Sequence, residues 1–495
     1  MKDIYFFGED KNLEFKREIP NNHENFLKDV IAFSNSAGGK IILGIEDGTG
    51  EVYGIGDKNP FKLSDAVSNM ISDACTPQIE PDISIRTVED KTVLVIDIAP
   101  GKFRPYYLRS KGKEATTFIR INGTSRPADG RKLRELEMEG ENISYDSLQA
   151  IGMDFDKEKT MQLCNSMKEI AINSCTTEEE KNAIKDMTIE KLEDFGILCR
   201  VGRNIYPTHA FDLLTENSNK AAKIQCALFK GTVRDIFIDK KEFTGPIYRQ
   251  VEDACQFVLR HINTGAVVEG IYRNDHYEVP LSAVREMIAN AVVHRSYLDR
   301  SCIQVCIFDD RIEVLSPGML YGGLDIETAK SGKSTCRNEA IAEAFHYMHI
   351  VEAWGTGIPR ILSRCREYGL AEPEFEEIGD GFRVTIFRKT TNAQQKVTNG
   401  DENKTNAQQK ITNDFEQYAS ILEEAHVKVR YIESIGVIFA FNGTDAVFGQ
   451  KDVMSCLKCS QSKARNIINA MKAAGIIEKV TGFGSGKYKF IEFED

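Results

Sequence analysis

No run of this 495-residue chain approaches the roughly 18 consecutive apolar residues that a membrane-spanning helix needs. No membrane span is therefore expected. The beginning, Met1-Lys2-Asp3-Ile4-Tyr5-Phe6-Phe7, turns acidic at Glu9-Asp10 before the apolar core of a signal peptide could develop, so a cytoplasmic protein is expected. An excess of positive charge is missing as well. A formal charge of −12 argues against general affinity for nucleic acid, because phosphate binding needs clustered cations, and charge must be read locally. The 12 cysteines lack the paired short spacings of a disulfide framework. The single Cys-x-x-Cys, Cys456 to Cys459, has no second Cys or His pair nearby and reads as core thiols rather than a zinc site. What remains, 41% hydrophobic and 28% charged residues, is a globular composition. At roughly 100–200 residues per domain, three or four domains are expected.

The clearest boundary is polar. Thr391-Asn392-Ala393-Gln394-Gln395-Lys396-Val397-Thr398-Asn399 recurs as Thr405-Asn406-Ala407-Gln408-Gln409-Lys410-Ile411-Thr412-Asn413, and such a repeat reads as a linker because it has little to bury. Before it we expect an α/β module over 1–135, a mostly helical middle over 136–276, and a second α/β module over 277–390. After the linker, 391–413, a last domain spans 414–495. In the middle, Ile224 to Gly231 reads as a strand ending at a turn, and Gly245 to His261 has the period of an amphipathic helix.

In the first module, Leu13-Glu14-Phe15-Lys16 alternates as a half-buried strand, with Glu14 and Lys16 on one face. A helix over Glu24–Ser36 follows, stops at Gly38-Gly39, and gives way to a strand over Lys40–Glu46. Glu9, Glu14 and Glu46-Asp47 could gather around Mg²⁺ or Mn²⁺ with Lys16 steadying a phosphate, a constellation suited to phosphodiester hydrolysis. Taken alone, Glu-x-Lys reads as solvated strand-face charge. From Lys102 to Arg126 seven cations (102, 104, 109, 111, 113, 120, 126) face one acid, Glu114. Interleaved with Phe103, Tyr106, Tyr107 and Phe118, they suit a nucleic-acid groove or an exposed hairpin.

Glu9-x4-Glu14-Phe15-Lys16, Ala32-Phe33-Ser34-Asn35-Ser36-Ala37-Gly38-Gly39, Leu43-Gly44-Ile45-Glu46-Asp47 and Ile119-Arg120-Ile121-Asn122-Gly123-Thr124-Ser125-Arg126-Pro127-Ala128 together resemble the Schlafen/AlbA-type domain. The resemblance implies contact with DNA, or RNA, through Lys16, Arg104, Arg109, Lys111, Lys113, Arg120 and Arg126. In Schlafen nucleases a carboxylate trio binds metal; Glu9 and Glu14 match its first two members, with Asp47 or Glu46 as the third. Many bacterial relatives are DNA-binding regulators instead.

In the second module, Ser282 to Arg295 reads as a helix with Glu286, Asn290 and His294 at i, i+4 and i+8 on one face. Such a face can serve a nucleotide, Glu286 activating water and Asn290 holding Mg²⁺, or be a plain polar stripe. A hairpin over Ile303–Leu315 opens into Ser316-Pro317-Gly318. Gly355-Thr356-Gly357 opens another helix, where glycines let backbone amides approach phosphate. Ser331-Gly332-Lys333-Ser334-Thr335 is not a P-loop, since position 327 is Glu where that loop needs glycine.

Arg285-Glu286-Met287-Ile288-Ala289-Asn290-Ala291-x2-His294-Arg295, Ser316-Pro317-Gly318, Arg337-Asn338 and Glu352-x-Trp354-Gly355-Thr356-Gly357-Ile358 resemble the GHKL-type ATP-binding domain of bacterial RecG-related regulators. The resemblance implies Glu286 as base, Asn290 as magnesium ligand, and Gly318, Gly355, Thr356 and Gly357 around ATP. Ser316-Pro317-Gly318 stands where an adenine-reading Asp-x-Gly is usual.

Past the linker, the pattern of two helices, a strand, a glycine wing and a strand over Gly449–Phe490 resembles a winged helix. Residues 451–490 hold eight cations and two acids, and Lys463 and Arg465 fall at the start of the recognition helix, with Lys487 beyond the wing. The expected fold is thus an α+β multidomain chain: Schlafen/AlbA-like α/β domain, GHKL-like α/β sandwich, winged helix. The expected function is a DNA-binding transcriptional regulator, a homo-oligomer, with a nucleotide-responsive module that has weak ATPase activity at most. The alternative is a Schlafen-type metal-dependent RNA or DNA nuclease acting in defence.

Overall fold

The computed structural model describes every residue except 1–10, 48, 122, 270–271, 353–354, 389–417, 419–420, 423–430, 432–433, 437, 440–446, 458–460, 481–486 and 492–495. Glu9, the repeat linker and the glycine wing lie outside the described residues. The chain divides into two compact units, Met1–Thr390 and Thr391–Asp495.

The first unit opens with β1 (Leu13–Lys16), α1 (His23–Ser34), β2 (Gly39–Leu43), α2 (Pro60–Ala74), β3 (Cys75–Thr76), β4 (Asp82–Val88), β5 (Lys91–Ile98), β6 (Tyr107–Leu108), α3 (Lys113–Thr116), β7 (Phe118–Ile121), β8 (Thr124–Pro127) and α4 (Gly130–Gly140). Its main sheet has the order β1-β2-β5-β4, with β1 parallel to β2 and the remaining pairs antiparallel. α1 starts where the Asn22 side chain accepts from the Glu24 amide, an N-cap, and buries Phe26, Leu27, Val30, Ile31 and Phe33 against the sheet. Two glycines end it for steric reasons: Gly38 has φ +80°, and a Cβ on Gly39 would lie 2.3 Å from the Phe33 ring. The basic stretch after Gly101 is a loop followed by β6, which pairs with β3; the hairpin lies further on, as β7–β8.

There follow α5 (Lys157–Ser174), α6 (Glu178–Ala183), α7 (Ile189–Asp194), the hairpin β9 (Leu198–Val201) and β10 (Asn204–Pro207), and α8 (His209–Leu214). Then come β11 (Ile224–Phe229), β12 (Phe237–Phe243), α9 (Ile247–His261), β13 (Thr264–Glu269), β14 (Tyr272–Tyr277), α10 (Leu281–His294), β15 (Ile303–Ile307), β16 (Arg311–Pro317), α11 (Ile326–Lys330), α12 (Glu339–Tyr347), α13 (Gly357–Glu367), β17 (Glu374–Ile378) and β18 (Gly381–Phe387). A six-stranded sheet runs β12-β11-β15-β16-β18-β17, with β11 and β15 parallel. The region read as mostly helical therefore contributes two strands to this sheet. It also shares a core with the module after it, since Leu163, Met167, Phe211 and Phe257 pack in one cluster with Met287, Ile341 and Phe345. The expected boundary at 276/277 runs through a single sheet and core. Periodicity along the chain reports each strand but not its neighbour, which is why the sharing was invisible.

In the second unit, β19 (Phe448–Gly449), β20 (Ile477–Lys479) and β21 (Lys487–Phe490) form a three-stranded antiparallel sheet, order β19-β21-β20; with the helices Gln450–Leu457 and Gln461–Ala473 between β19 and β20, they share a core that includes Phe448, Ile467, Met471 and Phe490.

Candidate nucleotide site and basic surfaces

α10 turns Val284, Ile288 and Val292 into the core and leaves Glu286, Asn290 and His294 on the wall of a cavity of about 150 Å³. Asn290 Nδ2 donates to Glu286 Oε1 at 3.2 Å. The N-terminus of α13 presses on this pair: a Cβ on Gly357 would come within 2.6 Å of both Asn290 Nδ2 and Glu286 Oε1. Gly355 has φ +67° and approaches so closely that a Cβ there would lie 2.3 Å from the Gly332 carbonyl oxygen. Close backbone approach thus requires glycine at 355, whereas at 357 a methyl would meet the ends of two side chains. The start of α13, where Gly357 and Ile358 carry the amides that lack intrahelical partners ahead of Pro359, offers an anion site.

Burial raises the Glu286 carboxyl above its ordinary value, against the Asn290 hydrogen bond and Arg360. Burial also lowers His294 to about 4, aided by the Arg337 charge, so its imidazole is neutral at physiological pH. Ser316, where the GHKL resemblance leads one to expect an adenine-reading carboxylate, donates its hydroxyl to the Ala291 carbonyl at 2.9 Å. Gly318, Met319, Leu320 and Tyr321 continue that wall. Lys333, Ser334 and Thr335 line the cavity too. Sequence reasoning rejected their segment as a P-loop and so missed them; the contact that brings it in, Gly332 on Gly355, joins residues distant in the chain.

A magnesium ion keeps several waters and takes few protein ligands beside phosphate oxygens. The Asn290 amide oxygen, in a cradle that a Cβ on Gly357 would fill, fits that requirement, with Glu286 beside it. The N-terminal carboxylates are differently arranged. Glu14 is bound by Lys16 and accepts from Arg120 Nη1 at 3.0 Å. Asp47 is exposed on the turn after β2, and Glu46 lies 3.5 Å from Arg17. Among the described residues no three metal-ligating side chains converge.

Of the expected nucleic-acid contacts, two turn inward. Arg120 is 2% exposed, stacks over Phe33 at 4.7 Å, and shares Glu14 and Asp29 with Lys16. Arg104 is buried, donating to the carbonyls of Ser34 and Ser36 and pairing with Glu139. Lys111 pairs with Glu24, Lys113 with Glu137, and Arg109 donates to Thr76 Oγ1 and the Cys75 carbonyl. Arg126 is exposed on β8, as are Lys102 and Phe103 on the loop before β6. In the second unit Arg465 is exposed, Lys487 pairs with Asp452 at 2.6 Å, and the Lys463 side chain lies outside the described residues.

Residues 9–129 match the family model described as Schlafen, AlbA_2, and residues 301–386 match that described as Putative ATP-dependent DNA helicase recG C-terminal. The chain carries a Schlafen AlbA_2 domain joined to a RecG-related HATPase-like domain. α10, with Glu286 and Asn290, precedes the second match. Among solved structures, the chain is similar to the DIP2311 protein from Corynebacterium diphtheriae, at 19% identity over 97% of this chain and 92% of that one, TM-score 0.40. It is also similar to the N-terminal domain of a Putative ATP-dependent DNA Helicase RecG-related Protein from Nitrosomonas europaea, at 20% identity over 26% of this chain and 86% of that one, TM-score 0.19. No curated protein matches the chain.

Proposed function

We propose that the protein is a DNA-binding transcriptional regulator whose state responds to a purine nucleotide in the α10–α13 cavity. The observation that carries this reading is the contact of Gly357, at the first turn of α13, with the Glu286–Asn290 pair. There a triphosphate could lie against the start of α13 and Lys333, while the Asn290 amide oxygen would hold Mg²⁺. The ion, when bound, would neutralise phosphate charge. Glu286 is the group placed to accept a proton from water, and burial, by raising its pKa, makes its carboxylate a stronger base. With the Ser316 hydroxyl instead of a carboxylate at the base end, ATP and GTP should be poorly distinguished.

DNA would be held by Arg109, Lys111, Lys113 and Arg126 of the N-terminal domain, and by a winged helix in the second unit whose helix Gln461–Ala473 carries Lys463 and Arg465 in its sequence. Arg104 and Arg120 serve the domain's own structure. The nuclease reading would need Glu14 released from two cations. The test is a thermal melt with ATP and Mg²⁺, in which ligand binding to the folded state raises the melting temperature. Asn290→Ala should abolish the rise and Glu286→Gln should keep it. No rise with either nucleotide at millimolar concentration would overturn the reading.

A further inference from the structure

The Arg337-Asn338 pair plays no part in holding nucleotide, yet it sits where three segments meet. α10 ends at His294, leaving carbonyls without intrahelical partners. Asn338 Nδ2 donates to the carbonyls of Val293 and Arg295, at 2.7 and 2.9 Å. Arg337 takes the one between them: Nη1 donates to the His294 carbonyl at 2.5 Å, while Nη2 donates to the Met319 carbonyl at 2.6 Å. Its remaining nitrogen, Nε, lies 2.9 Å from Glu135 of α4. Both residues of that ion pair are buried. One planar guanidinium therefore hydrogen-bonds the end of α10 to the cavity loop, while its charge, without a hydrogen bond, faces Glu135 on the helix that follows the Schlafen AlbA_2 domain.

The loop it holds has two faces. Met319, Leu320, Tyr321 and Leu324 line the cavity. From the same stretch, Gly323 packs on the N-terminal domain so tightly that a Cβ would fall 2.6 Å from Arg104 Nη2 and 2.7 Å from Pro100 Cβ. The Leu320 amide donates to Glu377 Oε1 at 2.9 Å, and Glu377 pairs with Lys11, just before β1. A Cβ on Gly318 would lie 2.2 Å from Arg337 Nη1, so the loop rests directly on the guanidinium. A rigid fork that satisfies acceptors on separate segments cannot follow a displacement of one without weakening its bonds to the others.

Resting on the nucleotide reading of the cavity, we propose that Arg337 couples the two sites. Nucleotide in the cavity and DNA on the Schlafen AlbA_2 domain change each other's affinity through the Arg337–Glu135 pair. Thermodynamic linkage makes the effect reciprocal, the same factor appearing in either titration.

The experiment measures the dissociation constant of a fluorescein-labelled DNA duplex with and without saturating ATP and Mg²⁺, on the full chain. Their ratio in the wild type should be about five or more. Arg337→Lys keeps the charge opposite Glu135 but loses the fork, and should bring the ratio to one; Glu135→Gln should do the same and serves if the first variant does not fold. Because each ratio compares one variant with itself, a general loss of affinity cancels. Arg131→Ala is the control, since Arg131 crosses the same junction on its exposed side, to Asp299 and Asp380, and should keep the wild-type ratio. A wild type that binds both ligands with a ratio of one overturns the coupling and leaves the nucleotide reading standing. So do Arg337→Lys and Glu135→Gln variants that keep the ratio, or an Arg131→Ala that loses it. Failure of the wild type to bind ATP overturns the nucleotide reading, and the coupling with it.

Discussion

Gly357 decides whether the cavity keeps its shape. It begins α13 without positive φ, so alanine there is not disfavoured by the backbone and helix propensity favours it by about 1 kcal/mol. The added methyl would nevertheless displace the Asn290 and Glu286 side chains. Gly357→Ala should therefore leave the melting temperature of the ligand-free protein nearly unchanged and remove the rise caused by ATP. A parallel fall of both would mean the glycine serves packing alone. Asp146 is a second decisive residue, fully buried, accepting from the Ile341 amide at 2.8 Å and from Ser144. Burial pushes its carboxyl from 3.8 up to about 6. Folded, it binds its proton more tightly than unfolded, so its stabilisation is full below 3.8 and is lost as pH rises through about 6. The loss at neutral pH is about 3 kcal/mol. Asp146→Asn, which still accepts from Ile341, should raise the urea midpoint at pH 7 more than at pH 4. Equal changes at the two pH values would refute this.

At the level of elements, sequence patterns identified strands and helices well and partners poorly. The Leu13–Lys16 strand, the helix carrying Glu286 and Asn290, and the strands either side of Asp309-Asp310 are all where their periodicity put them. So too are the strand at Ile224 and the helix ending at His261. The Lys102–Arg126 stretch shows the limit. Its composition is readable, but whether a cation faces solvent depends on which acids and carbonyls other elements bring to it. β7 places Arg120 against Glu14 of β1 and Asp29 of α1, residues about a hundred positions away in the chain. Removing one member of such a buried network costs about 3–5 kcal/mol. Arg120→Ala should therefore lower the melting temperature strongly, with DNA affinity falling only as the fold is lost. Arg126→Ala, on the exposed end of the same hairpin, should weaken DNA binding and leave the melt alone. Calorimetry and fluorescence anisotropy on the two variants separate these outcomes; reversed results would return Arg120 to the nucleic-acid surface.

Across the whole molecule, the shared six-stranded sheet sets what can be made separately. A fragment over 277–390 would lose β11 and β12, together with the core residues of α5, α8 and α9. It should be insoluble or molten, whereas 1–390, which contains one compact unit, should unfold cooperatively; a soluble 277–390 fragment with a sharp melt would contradict the shared core. The parallel pairing of β11 with β15 also has a consequence in time. During synthesis β11 is complete at Phe229, but its inner neighbour begins only at Ile303. At ~5–20 residues per second, its unpaired inner backbone edge waits several seconds on the ribosome, with only β12 available to cover the other side. That interval makes the nascent chain a client for whatever chaperone meets it at the exit tunnel, and slowing translation between those two strands would lengthen the exposure.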